Sequence, residues 1–322
     1  MPKILITGGA GYIGSHVNKE LHLKSYKTIV LDNLSTGHYK FTKWGRFAIG
    51  NINNKDLLNT LFKTYNIDTV IHLAASAYVE ESINDPSKYY NNNVGNTISL
   101  LDSMVENNVK NIIFSSSCAV YGIPNELPIS EDTPCNPISP YGRTKKIIED
   151  ILEDYSNAYG LNYISLRYFN AAGADFAGEI GEKHDPETHL IPLVLEAAKD
   201  PTKTVKINGT DYNTYDGSCV REYVHVVDLA NAHVKAIEYL RRNQSNNIFN
   251  LGGYCISVRD IIKTCARHTK SYIKTIETER RPGDPPYLST LSGKTIQKLN
   301  WFPRYSNITD IIESAWAWHN RR

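Results

Sequence analysis

Lys3-Ile-Leu-Ile-Thr-Gly-Gly-Ala-Gly-Tyr-Ile-Gly14 is the stretch that decides the fold. Its first five residues are a short apolar run that reads as a buried strand. The glycines that follow satisfy both G-x-x-G-x-x-G (Gly8, Gly11, Gly14) and G-x-G-x-x-G (Gly9, Gly11, Gly14). Glycine permits a tight turn, lets backbone approach a pyrophosphate and lets the next helix pack closely on the sheet. A helix over Tyr12–Lys24 would aim its first amides at the phosphates. A second strand, Thr28–Asp32, ends in a carboxylate at the separation expected for an adenosine ribose. Asp32 would accept from a 2′-hydroxyl and repel a 2′-phosphate, which favours NAD over NADP.

Working outward, strands are expected at Arg46–Ile49, Thr69–Leu73, Asn111–Ser115 and Asn162–Leu166, with helices over Lys55–Tyr65, Ser87–Asn107 and Tyr141–Tyr159. Pro140 suits a helix start. Alternating strands and helices imply an α/β fold: a Rossmann-type, doubly wound parallel sheet with its ligand site at the strand carboxyl ends. At 322 residues the chain is long for one domain. We expect an NAD-binding domain over residues 1–172 and a smaller α/β substrate domain over 173–322, with part of 220–250 returning to the first.

A second signal lies at a strand end. Ser115-Ser116-Ser117 precedes Tyr141-Gly-Arg-Thr-Lys145, whose tyrosine and lysine share one helix face. A free phenol has a pKa of about 10 and is a poor base at neutral pH. A neighbouring ammonium and a cationic nicotinamide would favour the phenolate, and a serine hydroxyl can polarise the same substrate oxygen. Such a set can deprotonate an alcohol while a nicotinamide removes its hydride.

Composition narrows the alternatives. The net charge is +1, with no long basic or acidic block, so nucleic acid and membrane surfaces are not expected partners. No apolar run approaches a membrane span, and the first strand leaves no room for a signal peptide. The five cysteines (Cys118, Cys135, Cys219, Cys255, Cys265) form no C-x-x-C pair. They read as reduced thiols of a cytoplasmic protein, and no metal-ligand set is expected.

These residues carry a family resemblance that runs nearly end to end. The chain resembles the UDP-glucose 4-epimerases, extended short-chain dehydrogenase/reductases. The likeness rests on Thr7–His16, Leu31–Leu34, Ile71–Ala74, Tyr89–Val94, Ser115–Gly122, Ser139–Gly142, Leu166–Asn170, Gly209–Tyr212, Asp216–Arg221 and Arg280–Asp284. It implies a redox reaction that cancels itself: oxidation of a UDP-hexose at carbon 4, rotation of the 4-keto sugar, and return of hydride to the other face. By resemblance Ser117, Tyr141 and Lys145 are catalytic. NAD would contact Gly8, Gly11, Tyr12, Ile13, Gly14, Asp32, Asn33, Asn51, Ile52, Leu73, Ala74, Ala75, Asn93, Ser115, Tyr141, Lys145 and Tyr168. The UDP-sugar would contact Ser117, Tyr141, Asn170, His189, Leu190, Arg221, Arg281, Asp284 and Leu288. The arginines suit diphosphate through bidentate, charge-assisted bonds.

Departures from the family pattern stand at Asn51, where an aspartate is common, at Ala77, where some members have lysine, and at His189, where the better-known members have asparagine. Leu288 replaces a bulky tyrosine of narrow-specificity members and leaves room at carbon 2, so UDP-GlcNAc/UDP-GalNAc are candidate substrates. Ala77-Tyr78-Val79 recurs in relatives acting on UDP-xylose/UDP-arabinose, which stay open. A 4,6-dehydratase would need an acid and a base where this chain has Cys118 and Ala119. A non-catalytic NAD-binding scaffold is the reading from another class, and the intact Ser117, Tyr141 and Lys145 argue against it. The family usually forms a homodimer through the helices near 87–107 and 141–159. Ile98, Leu101, Ile147 and Ile151 fit either that seam or the sheet-facing core.

Overall fold

The computed structural model describes residues 3–281 and 284–321; Pro282 and Gly283 of the Arg280–Asp284 motif, and the initiator Met1, lie outside the described residues. The first part runs β1 (Lys3–Thr7), α1 (Tyr12–Leu23), β2 (Lys27–Asp32), β3 (Arg46–Ile49), α2 (Lys55–Tyr65), β4 (Thr69–His72), α3 (Val79–Asn84), α4 (Pro86–Tyr89), α5 (Asn96–Glu106), β5 (Asn111–Ser117), α6 (Pro140–Tyr159) and β6 (Asn162–Tyr168). The second runs β7 (Asn170–Ala172), α7 (Leu190–Lys199), β8 (Val205–Asn208), β9 (Val220–His225), α8 (Val226–Asn243), β10 (Asn247–Leu251), β11 (Tyr254–Ser257), α9 (Val258–Thr269), β12 (Thr275–Thr278), α10 (Gly293–Leu299) and α11 (Ile308–Asn320).

Seven strands form one sheet in the order β3-β2-β1-β4-β5-β6-β10, every pair parallel. Ile4, Leu5 and Ile6 of β1 are wholly buried because helices cover both faces, which is why β1 is an unbroken apolar run. One face packs Val17 and Leu21 of α1 against Leu229, Ala236 and Ile237 of α8. The other packs Leu58 and Phe62 of α2 against Leu101, Met104 and Leu152. Strand order reverses between β1 and β4, so a crevice opens at the carboxyl ends of both strands, where such sheets bind ligands.

After β6 the chain leaves to build small sheets β7-β9-β11 and β8-β12 over a separate core of Ile191, Val194, Ile207, Ile261 and Ile311. Between them α8 and β10 return: α8 packs on α1, and β10 pairs with β6.

Local signals account for the element ends. Ser139 caps α6 by accepting from the Gly142 amide at 3.1 Å, Pro140 follows in the first turn, and Gly160 ends the helix at φ +66°. One expectation fails. The helix expected over Ser87–Asn107 is broken by a wide π turn at Tyr90–Gly95. The wider turn carries Asn93 inward, 1 % exposed, where it bonds the backbone of Ser76 at 2.8 and 3.0 Å and the Thr144 hydroxyl at 3.2 Å. Such turns collect at functional sites, and nothing in the apolar periodicity marks this one.

Candidate active site

The glycine turn forms the floor of the crevice. Gly8 has φ +72°, and a Cβ there would stand 2.6 Å from the Ala74 nitrogen; one at Gly14 would stand 2.3 Å from the Gly8 oxygen. At Gly11 a Cβ would meet a single atom within 4 Å, the Gly8 oxygen at 3.3 Å, a tight contact but far less severe than those at Gly8 and Gly14. Helix α1 has no side-chain cap at its start, leaving its first amides to another acceptor. Close glycine packing beneath an uncapped helix start fits a dinucleotide pyrophosphate. Gly8→Ala should therefore cost about 2–4 kcal/mol of stability through strain and a backbone clash. Gly11→Ala should leave stability nearly intact and weaken dinucleotide retention. Denaturant melts beside the bound-dinucleotide content of each purified variant separate the two.

Asp32 ends β2, 8 % exposed. Its carboxylate accepts from the Ala10 amide at 3.0 Å and the Leu34 amide at 2.8 Å. Burial raises its pKa, and these two amides oppose the rise. Asn33 is exposed beside it and accepts from the Ser35 amide. Asn51 accepts from the Asn53 amide at 3.2 Å, and Ile52 lies in the core beneath. Leu73, Ala74 and Ala75 follow β4, with the Leu73 amide held by the Thr7 carbonyl at 3.1 Å.

Ser115–Ser117 ends β5 beside the amino end of α6. Each hydroxyl has its own bond. Ser115 accepts from the Tyr168 phenol; Ser116 donates to Glu149 at 2.6 Å; Ser117 accepts from the Ala119 amide at 3.2 Å. Lys145 donates to the Ser115 carbonyl at 2.6 Å, with its ammonium 5.0 Å from the Phe114 ring centre and 5.8 Å from that of Tyr141. Burial pulls the Lys145 amine down to about 7, while the Glu149 charge holds it up. Burial pushes the Tyr141 phenol up to about 12, and its hydrogen bond with Ser117 pulls it back. Without a bound cationic ring, then, Tyr141 keeps its proton at neutral pH. The sequence-based expectation joins the lysine to a cationic nicotinamide and so concerns the cofactor-bound site.

Lys145 also has a folding consequence. In the unfolded chain a lysine keeps its proton to about pH 10.4, whereas here it is lost near 7. The folded state thus binds fewer protons between these values, and stability rises with pH across that window. Lys145→Met should stabilise the cofactor-free protein more at about pH 6 than at about pH 9, as paired thermal melts would read.

Behind the serines, Glu149 is held by Arg167 through contacts of 2.9 and 2.5 Å. Both side chains are 3 % exposed. Arg167 also donates to the Tyr121 phenol at 2.8 Å, which donates to Asn250 at 2.7 Å. This network fixes the back of β5 and escaped the sequence reading.

The opposite wall carries the other expected residues. Asn170 is exposed and donates to the Glu222 carbonyl at 2.9 Å. Arg221 pairs with Asp284 at 2.7 Å, so the two expected substrate contacts meet each other. Arg281 is exposed. Leu288 packs with Val120, Tyr121, Ile129 and Phe169. Glu222, unnoticed in the sequence, accepts from the Thr290 amide at 2.6 Å and so anchors the segment bearing Leu288; burial pushes its carboxyl up to about 7. Cys118 lies where a dehydratase would carry an acid, and burial pushes its thiol up to about 12.

His189 stands at the N-cap position of α7 with no side-chain bond to the helix, and Leu190 begins that helix. Together with Asn170, Glu182 and Tyr223 they line a small cavity. His189 lies amid Glu182, His184 and Glu187. The spacing Glu182-x-His-x-x-Glu-x-His189 would have pointed to this group in the sequence.

A model of the NAD dependent epimerase/dehydratase family matches residues 4–252. A UDP-glucose 4-epimerase of Halalkalibacterium halodurans is 49% identical, over 98% of this chain and 95% of its own. One from Rhizobium meliloti is 45% identical over 99% and 97%. The crystal structure of UDP-glucose 4-epimerase from Brucella ovis in complex with NAD superposes with a TM-score of 0.96 at 48% identity, covering 98% of each chain.

Proposed function

The chain belongs to the NAD dependent epimerase/dehydratase family, and from that premise we propose that it interconverts UDP-glucose and UDP-galactose by NAD-dependent epimerisation at carbon 4. The observation that carries this is the meeting of Tyr141, Lys145 and Ser117 at the carboxyl end of β5, across from an uncapped glycine turn.

NAD, when bound, would supply a reversible hydride acceptor for carbon 4 and the positive charge that Tyr141 needs. Tyr141 removes the proton from the carbon-4 hydroxyl and later restores it. Ser117 bonds the same oxygen and the phenol. Lys145, anchored on the Ser115 carbonyl, holds the nicotinamide ribose and keeps the tyrosine in place. Asn170, Arg221 and Arg281 face the diphosphate, which would draw Arg221 from Asp284 and free that carboxylate for the uridine ribose. The Gly11 side of the turn takes the cofactor pyrophosphate and Asp32 its adenosine ribose. Residues 1–172 with α8 and β10 make the cofactor half; the remainder makes the substrate half.

The active unit is a homodimer joined along α5 and α6. Ile98, 37% exposed, and the half-buried Ile147 belong to that face, while Leu101, fully buried, and Ile151 belong to the core. Five free thiols suit a reducing cytoplasm. Among the described residues no helix is long and apolar enough to cross a membrane.

The test is incubation of purified protein with UDP-galactose and no added cofactor, followed by NMR for UDP-glucose. Conversion supports an epimerase that carries its own NAD; no conversion even with NAD supplied sinks the reading. UDP-GalNAc and UDP-arabinose in parallel rank the sugars. Leu288 is less bulky than the tyrosine expected in narrow-specificity relatives. Leu288→Tyr should lower kcat/KM for UDP-GlcNAc at least about tenfold more than for UDP-glucose, as one lost pocket is worth roughly 1–3 kcal/mol. Equal losses on both sugars would remove Leu288 from specificity.

A further inference from the structure

Away from the reacting atoms, Glu182, His184, Glu187 and His189 each place one ligating atom within 4.8 Å of the other three. His184 Nδ1 lies 3.4 Å from Glu182 Oε1 and 3.5 Å from Glu187 Oε2. His189 Nδ1 lies 3.1 Å from Glu182 Oε1 and 3.0 Å from Glu187 Oε1. Ligands about 2.0–2.2 Å from a tetrahedral zinc ion stand roughly 3.3–3.6 Å from one another. The separations run close to those edges, with Glu187 meeting the two imidazoles through different oxygens, so an ion would draw one of these oxygens inward.

Ion pairing alone accounts for it less well. His184 Nδ1 is buried and makes no hydrogen bond, although two carboxylates flank it. His189 Nδ1 bonds Glu187 Oε1 at 3.0 Å, whereas His184 Nδ1 stands back from both carboxylates, as a ligand aimed at a shared centre would. The carboxylates are deep, their side chains 7% and 10% exposed, and both imidazoles face them. Aromatic rings wall the group: Tyr78 lies 6.0 and 6.5 Å from the two imidazoles, and Tyr12 stands edge-on to His184 at 6.2 Å. Two imidazole nitrogens with two carboxylate oxygens suit zinc and its neighbours better than magnesium or calcium, which take oxygen.

We propose that Glu182, His184, Glu187 and His189 form a closed tetrahedral site for a zinc-class divalent cation that staples the 182–189 segment to the start of α7. His189 and Glu182 also line the cavity that holds Asn170 and Leu190, so the ion would set the shape of that wall. The site stands whether or not the sugar reading holds, because its test reads metal rather than turnover.

The untagged full chain, stripped with EDTA, is titrated with Zn²⁺ by calorimetry and separately with Co²⁺ by visible absorption. Expected are about one zinc per chain, strong tetrahedral Co²⁺ bands, and a higher melting temperature with metal. His184→Gln and Glu187→Gln should each weaken Zn²⁺ binding by about tenfold or more, while His268→Gln on the exposed face of α9 should not. No saturable uptake by the unsubstituted protein, weak octahedral Co²⁺ absorption, or unchanged affinity in both variants would overturn the site. If a variant fails to fold, the Co²⁺ spectrum of the unsubstituted protein decides.

Discussion

Tyr141→Phe is expected to lower kcat by ~10²–10⁴-fold, the usual worth of a positioned general acid–base group, while KM and bound NAD stay nearly unchanged. The ring would be kept, and with it the packing against Tyr89 at 6.5 Å and the face presented to Lys145. What is lost is the hydroxyl that bonds Ser117 and, as proposed, would meet the sugar. Because burial holds that phenol near 12 in the cofactor-free protein, the group is tuned by what binds beside it. Rapid single-turnover reduction of bound NAD by UDP-galactose should fall with kcat, which separates lost chemistry from slowed release. A fall of less than tenfold with intact cofactor would transfer the proton to another group, Ser117 first.

Arg167→Ala should be the most destabilising single change in the β5 support network, at about 3–5 kcal/mol, because it strands a buried carboxylate. Glu149 has Arg167 on both oxygens and the Ser116 hydroxyl on one, with almost no water. At a few degrees per kcal/mol the melting temperature should drop on the order of 10 °C. Adding Glu149→Gln should recover part of the loss, since the stranded charge goes with it. A double variant no more stable than Arg167→Ala would mean that Arg167 acts through the Tyr121–Asn250 arm instead.

The contrast between what could and could not be read in the chain has a physical basis. The turn from Thr7 to Gly14 and the acid at Asp32 are contiguous, and their spacing is set by one strand–helix–strand unit. Tyr141 and Lys145 are legible for the same reason: one helix turn separates them. The pairings that complete the site span the chain. Arg221 meets Asp284 and Glu222 meets Thr290 across more than sixty positions, and no local period encodes such a meeting. The π turn at Tyr90–Gly95 is hidden differently: its run of asparagines and a glycine weakens the helix, but no local signal says that it widens rather than ends there, and the inward Asn93 is its consequence. The expected strands at 69–73, 111–115 and 162–166 ended within two residues of their observed limits, because both-face burial leaves apolar runs with sharp edges.

The return of α8 and β10 to the large sheet sets a timetable for synthesis. As the chain emerges amino end first, β1 to β6 appear early, yet β6 keeps an unpaired edge and α1 a bare apolar side until Val226–Leu251 has followed. By then β7, β8 and β9 are already outside the ribosome. The large sheet is therefore finished only after the small sheets have begun, and neither can be released as a completed piece ahead of the other. For that interval the exposed strand edge is open to wrong partners, so the nascent protein should lean most on chaperones between the appearance of residue 168 and that of residue 251.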